Sequence, residues 1–259
     1  MDTQIIAVAN QKGGVGKTTT ALNLAAVLAD RGEKVLLVDT DPQANASSGV
    51  GVRPGAGEAD LYRCYTSPEV SLESCIRPTG LENLFLLPAS IDLVGVEVEL
   101  VGDAHREKRL KDLLRPLRGQ YRYILIDCPP SLGLLTINGL VAADSVLIPL
   151  QCEYFALEGL AQLIQTIRRV KKNVNRELFI EGMLFTMYDG RNRLTRSVAE
   201  NVRKHFGDQV YSTVVPRNVR LGESPSHGKT IIEYDPACTG AQAYRQLGVE
   251  FVQRIEARM

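Results

Sequence analysis

Residues Gln11 to Thr20 read QKGGVGKTTT, and the five residues before Asn10, Ile5 to Ala9, read IIAVA. An apolar run of strand type leads straight into a glycine-rich turn, and the turn opens a stretch of helical spacing from Lys17 to Asp30. That strand, loop and helix order is the setting in which a phosphate-binding loop is credible. Gly13, Gly14 and Gly16 would let backbone N–H groups turn inward on phosphates, with Val15 between them and the helix N-terminus adding its positive dipole end. Lys17 would reach the terminal phosphates of a nucleotide, and the Thr18 hydroxyl would take a place on magnesium, with Thr19 beside it. The plain alternative is a glycine-rich turn that happens to carry a lysine.

The loop departs from the usual Gly-x-x-x-x-Gly-Lys-[Ser/Thr] pattern, because Gln11 stands where the first glycine is expected. A second lysine, Lys12, precedes Lys17 by five residues. Two ammonium groups in one short loop repel each other unless phosphate charge lies between or beside them. Lys12 therefore either serves a nucleotide held by another subunit or is a solvated loop lysine.

Working outward, apolar runs of strand type recur at Val35 to Val38, Leu84 to Leu87, Tyr123 to Ile126, Ser145 to Pro149, Leu178 to Phe185 and Val210 to Val215. Most are apolar at consecutive positions, the pattern of strands buried on both faces. Helical spacing is found at Arg106 to Leu117, Leu132 to Ala143, Leu157 to Lys172, Asn192 to Phe206 and Thr239 to Ala257. The alternation predicts an α/β fold with a doubly wound, mostly parallel sheet flanked by helices. No linker or composition shift divides the chain, so residues 1–259 read as one domain, with Ala44 to Pro68 its least regular part.

The chain has 259 residues, 44% of them hydrophobic and 23% charged, enough to bury a sizeable core; disorder and a small disulfide scaffold are excluded. Five cysteines, Cys64, Cys75, Cys128, Cys152 and Cys238, form no Cys-x-x-Cys pair and read as small apolar residues of a reducing cytoplasm. His105, His205 and His227 are scattered without metal-ligand spacing. Neither a leader at Met1 to Gln4 nor a membrane-spanning run is expected.

The segment Lys12-Gly13-Gly14-Val15-Gly16-Lys17-Thr18-Thr19 resembles the deviant Walker A motif of the ParA/MinD ATPases. The resemblance extends to Val35-Leu36-Leu37-Val38-Asp39-Thr40-Asp41-Pro42-Gln43, to Ile124-Leu125-Ile126-Asp127-Cys128-Pro129-Pro130 and to Val215-Pro216-Arg217-Asn218-Val219-Arg220. With Ser224-Pro225-Ser226-His227-Gly228 the likeness is to the Soj-type partition branch. It implies a P-loop ATPase that binds ATP and Mg2+ and in which Lys12 reaches across a nucleotide-sandwich homodimer. Such a dimer would bind double-stranded DNA without sequence preference and be released by hydrolysis that a ParB-type centromere-binding protein stimulates. The expected location is cytoplasmic and nucleoid-associated.

Asp39, Asp41 and Asp127 each fall at or just past the C-terminal end of an apolar run, the sheet edge where open α/β folds hold ligands. Taken singly, each could be a helix cap or turn former. The resemblance gives water activation to Asp41 and the magnesium shell to Asp39 and Asp127, and puts Pro216 and Asn218 in an adenine-contacting loop.

Formal net charge is zero, yet between Leu160 and Lys229 there are 13 lysines and arginines against six acids, a net +7 that leaves −7 elsewhere. Arg193 and Arg196 lie on one predicted helix, with Arg191 at its entrance. These arginines are either a solvated helix face or a surface for phosphates. The resemblance favours DNA and adds Arg217 and Arg220. A MinD-like ATPase cycling on a membrane is the alternative, but Phe251 to Met259 carries an acid and is not the basic amphipathic anchor it requires. A metabolic ligase or reductase using the same loop is a further alternative.

Overall fold

The computed structural model describes residues 2–55, 57–154 and 156–258. Met1 and Met259, the two ends of the stretches read for a leader and a membrane anchor, lie outside them. The described strands are β1 (Gln4–Val8), β2 (Val35–Asp39), β3 (Arg77–Pro78), β4 (Leu84–Leu87), β5 (Tyr123–Asp127), β6 (Ser145–Gln151), β7 (Phe179–Tyr188) and β8 (Val210–Pro216). They form one sheet in the order β3-β4-β2-β5-β1-β6-β7-β8. All pairings are parallel except β3 with β4.

The helices are α1 (Lys17–Asp30), α2 (Asn45–Gly49), α3 (Leu61–Thr66), α4 (Leu72–Cys75), α5 (Val96–Glu99), α6 (Arg109–Leu114), α7 (Leu134–Ala142), α8 (Ala156–Asn173), α9 (Arg193–Phe206), α10 (Val219–Glu223), α11 (Ile231–Tyr234) and α12 (Thr239–Glu256). Side-chain alternation splits each central strand between two cores. Ile5, Leu36, Val38, Ile124 and Ile126 pack toward α6, α7 and α8 through Leu114, Leu140 and Leu163. Ile6, Val8, Leu37 and Leu125 pack toward α1 and α12 through Leu24, Leu28 and Phe251. Both faces are covered, which is why β2 and β5 are buried at every position.

The doubly wound α/β expectation is therefore met, with local differences. The stretch Arg106 to Leu117 is not one helix: a 3-10 turn at Arg106–Lys108 leads into α6, and another at Arg115–Leu117 contains Pro116, which cannot continue the ladder. Ala44 to Pro68 holds α2 and α3. Cys64 and Cys75, far apart as a sequence pattern, meet through a turn with their sulfurs 3.2 Å apart. Among the described residues no helix is long and apolar enough to cross a membrane.

Candidate nucleotide site

The chain runs from β1 outward to one side, through β2 and β4, and returns to place β5 beside β1 before continuing to the other side through β6. The loop after β1 thus stands where the winding reverses, at the strand ends where such sheets bind ligands. Its start is pinned to β6: the Asn10 amide donates to the Pro149 carbonyl at 2.8 Å, and its carbonyl oxygen accepts from the Lys12 N–H at 3.0 Å. Its middle is pinned to β7 by the Thr186 hydroxyl, which donates to the Val15 carbonyl at 2.7 Å. Gly14 and Gly16 take φ of +72° and +85°, left-handed values that an L side chain rarely adopts. Helix α1 has no side-chain cap and no acid in its first turn, so its leading N–H groups are left for an anion.

Lys17 is only 6% exposed, and its ammonium donates to the Lys12 carbonyl at 3.1 Å. Burial pulls its pKa below the usual lysine value, and Asp127, Cys128 and Asp41 push back. The Lys12 ammonium, by contrast, pairs with Glu153 at 2.5 Å and is not part of the cavity wall.

Asp39 and Asp127 close β2 and β5 and are register partners. Asp39 accepts from the Asp41 N–H at 3.1 Å and from the Ser47 N–H and hydroxyl at 2.8 and 2.7 Å. Burial pushes it up to about 6 against those hydrogen bonds. Asp127 is also fully buried, and the Thr18 hydroxyl beside it makes no well-formed hydrogen bond to either carboxylate oxygen. Burial raises it well above the carboxylate range, with Asp39 adding to the rise and the Thr18 hydroxyl and Lys17 opposing it. An unpartnered buried carboxylate costs several kcal/mol unless a cation meets it. A divalent cation therefore fits between Asp127 and the Thr18 hydroxyl. Among the described residues no cluster of three or more His, Cys, Asp or Glu could hold a metal alone. Phosphate oxygens and water would have to complete the shell, the usual pattern for magnesium.

A cavity of about 820 Å³ opens in front of the loop. Gly13, Gly14, Gly16, Lys17, Thr18, Thr19 and Asp41 line it on one side and Pro216, Arg217 and Asn218 on the other, so these sequence-predicted residues share one space. Val15 is buried beneath the loop, and Asp39 and Asp127 stand behind it. Asn218 also caps α10 by accepting from the Arg220 N–H at 2.8 Å, so the ordinary reading of a loop asparagine is present as well. Sequence reasoning missed Asn10 and Thr186, whose partners are remote in sequence. Of the three non-glycine residues at positive φ among the described residues, it missed the two at the site, Ala44 with φ 51° beside Asp41 and Met187 with φ 48° on the cavity wall; the third, Asn83, lies elsewhere. Such conformations store about 1–2 kcal/mol each and concentrate at ligand sites.

The arginines expected on DNA are exposed, but their surroundings differ. Arg191 is 92% exposed at its side chain and grips Asp189 with two hydrogen bonds of 2.9 and 3.0 Å, which hold Asp189 down at about 2. Arg220 pairs with Glu223 at 2.8 Å and Asp235 at 3.4 Å. Arg193 and Arg196 on α9 belong to no ion pair among the described residues, and Arg217 stands at the cavity mouth.

Comparison with known proteins gives one picture. The family model described as AAA domain matches residues 3–180. The chain is 55% identical over 247 residues to the sporulation initiation inhibitor protein Soj of Bacillus subtilis, covering 95% of this chain and 97% of that one. It is 51% identical over 253 residues to the chromosome partitioning protein ParA of Caulobacter vibrioides, covering 97% and 94%. Among solved structures, cobyrinic acid a,c-diamide synthase from Mycobacterium smegmatis with bound ADP and magnesium has 36% identity and a TM-score of 0.86 over 99% of this chain and 97% of that one.

Proposed function

Since the chain belongs to the ParA/Soj family of partition ATPases, we propose that it binds ATP with magnesium in the cavity before α1 and couples hydrolysis to DNA partition. We take residues 1–259 to act as one ATPase domain. The observation that carries this reading is the meeting of Lys17, Thr18, Asp41 and the unpartnered Asp127 around one cavity at the ends of parallel strands. The N–H groups of Gly13 to Thr19 hold the phosphates, and Lys17 leaves the Lys12 carbonyl for their terminal oxygens. Magnesium would offset the charge that develops in phosphoryl transfer. Thr18 and Asp127 hold it, while Asp39, whose oxygens are taken by Ser47 and Asp41, orients the Asp41 backbone. Asp41 orients the attacking water and accepts its proton. Pro216 and Asn218 face the base.

Lys12 releases Glu153 and reaches the phosphates of a second subunit, so ATP joins two chains face to face. The homodimer presents Arg191, Arg193, Arg196, Arg217 and Arg220 to double-stranded DNA. Contacts of this type go to phosphates, without sequence preference and with strong salt dependence. A ParB-type protein speeds hydrolysis and frees the dimer from the nucleoid.

Asp41→Ala tests the core of this. With ATP and magnesium it should be a dimer by light scattering and stay on a random duplex in fluorescence anisotropy, because the water is no longer activated. A variant that stays monomeric, or that turns over ATP at the parent rate, sinks the assignment.

A further inference from the structure

The 3-10 turn Ile91–Gly95 runs directly into α5, and this short segment is apolar on two faces. Leu93, Val96 and Leu100 are buried in the core. Ile91, Val94, Val98 and Val101, spaced by three, four and three residues, stand 62%, 61%, 75% and 67% exposed. That spacing puts them along one side of the helical segment. A helical segment of a globular chain normally shows one apolar face, to the core, and exposed aliphatic surface on another marks an interaction site.

Its charge says what covers it. Between Arg77 and Arg106 the chain has five acids and no lysine or arginine. Asp103 pairs with Arg109, Glu99 accepts from the Tyr62 hydroxyl, and Glu97 accepts from the Leu134 N–H at 2.8 Å. Among the described residues Asp92, Glu97 and Glu99 have no cationic partner. The patch is thus an aliphatic stripe with unneutralised acids beside it. An anionic lipid surface would be repelled. The basic helix α9 of a second copy spends Val198, Ala199 and Val202 on its own core, so it would bring its cations with little apolar surface.

We propose that Ile91, Val94, Val98 and Val101 form a docking surface for a basic amphipathic segment of a partner protein, seated on the valines with its cations on Asp92, Glu97 and Glu99. Glu97 ties this surface to the nucleotide site. It holds the first N–H of α7, the helix that follows Asp127 and Pro130, and Pro130 lines the cavity. A partner cation drawn to Glu97 competes with that N–H and loosens the turn between Asp127 and α7. This coupling rests on the ATPase reading, whereas docking does not.

The probe is an 18-residue peptide of leucines at helical spacing and lysines elsewhere, titrated by fluorescence anisotropy against the nucleotide-free chain. A scrambled peptide of equal composition is the control. The chain should bind the amphipathic peptide in the micromolar range and at least tenfold more tightly than the scrambled one. The double variant V94D/V98D should lose at least tenfold, although its added negative charge favours a cationic peptide. Glu97→Gln, which keeps an acceptor for the Leu134 N–H, should lose about threefold. Circular dichroism melts check that both variants are folded. Equal affinity of parent and V94D/V98D, or of ordered and scrambled peptides, overturns the docking surface. Self-association that V94D/V98D abolishes, or binding to phosphatidylglycerol vesicles through the same valines, overturns it in favour of a second copy or a membrane. Because no nucleotide is present, these outcomes are separate from any failure of the ATPase reading. In the parent, peptide that changes ATP turnover and loses that effect in Glu97→Gln supports the coupling, and an unchanged effect overturns it.

Discussion

Asp127→Asn asks whether the carboxylate closing β5 is kept for a cation. Its oxygens are buried next to Asp39, and both effects raise its pKa, so without nucleotide its ionisation opposes folding above the ordinary carboxylate range. An amide of the same shape removes the repulsion and most of the desolvation penalty. Relief at such a site is worth about 0.5–2 kcal/mol. Each kcal/mol moves Tm by about 2–4 °C at this size, so the nucleotide-free variant should melt about 1–8 °C above the parent. With magnesium and ATP at about a hundred times Kd, the parent gains about 2.7 kcal/mol, and the variant should lose most of that gain. The assay is a circular dichroism melt with and without magnesium and ATP. A carboxyl whose folded pKa is raised is destabilising above its unfolded value and neutral in effect once both states hold the proton. The variant's advantage should therefore shrink as pH falls toward 4. A variant that melts below the parent without nucleotide, or keeps the full magnesium–ATP shift, refutes the reasoning.

Lys17→Ala should weaken fluorescent ATP binding by more than about 30-fold, as expected when the partner of a buried charge is removed, and unchanged affinity would falsify the loop assignment. Replacing Arg191 and Arg220 with Glu should abolish retention on random DNA while leaving ATP-dependent dimerisation intact; persistent retention would move the basic surface elsewhere. Gly182→Ala drives a Cβ into the buried Tyr211 ring and should cost about 1–3 kcal/mol in urea unfolding, with a neutral result contradicting the packing. Burial alone would raise Glu250, but the N–H groups of Ser212 and Thr213 and the Arg254 guanidinium hold it below the usual carboxylate range. Its contribution is therefore present above the unfolded value and lost as pH falls through the folded one. Glu250→Gln should melt lower than the parent at neutral pH and match it in strong acid.

What was legible in sequence was whatever local chemistry dictates. Helix α1 runs from Lys17 to Asp30 as read, because Gly16 ends the loop and apolar spacing persists to Asp30. The central strands were readable because both faces are covered, which leaves consecutive apolar residues. Edge strand β3 was not, since two residues, one of them Pro78, have no period, and β4 alone defines their pairing. Helices α2 to α5 are too short for a period to emerge. At the site, the glycines and lysines announced themselves. Thr186 and Asn10 did not, because a lone threonine or asparagine becomes informative only once a carbonyl 171 or 139 residues away stands beside it. The Lys12–Glu153 pair, 141 residues apart, was hidden for the same reason.

The position of β1 also governs when the site can exist. Gln4 pairs with Tyr123, and Ile6 with Ser145. The phosphate loop therefore leaves the ribosome well before the strands that brace it. At about 5–20 residues per second, about 10–40 seconds separate the synthesis of the loop from that of the 216–218 wall that completes it. A nascent chain interrupted before β7 has the whole glycine-rich motif and half a cavity. Nucleotide capture thus doubles as a test that translation has passed the 216–218 wall.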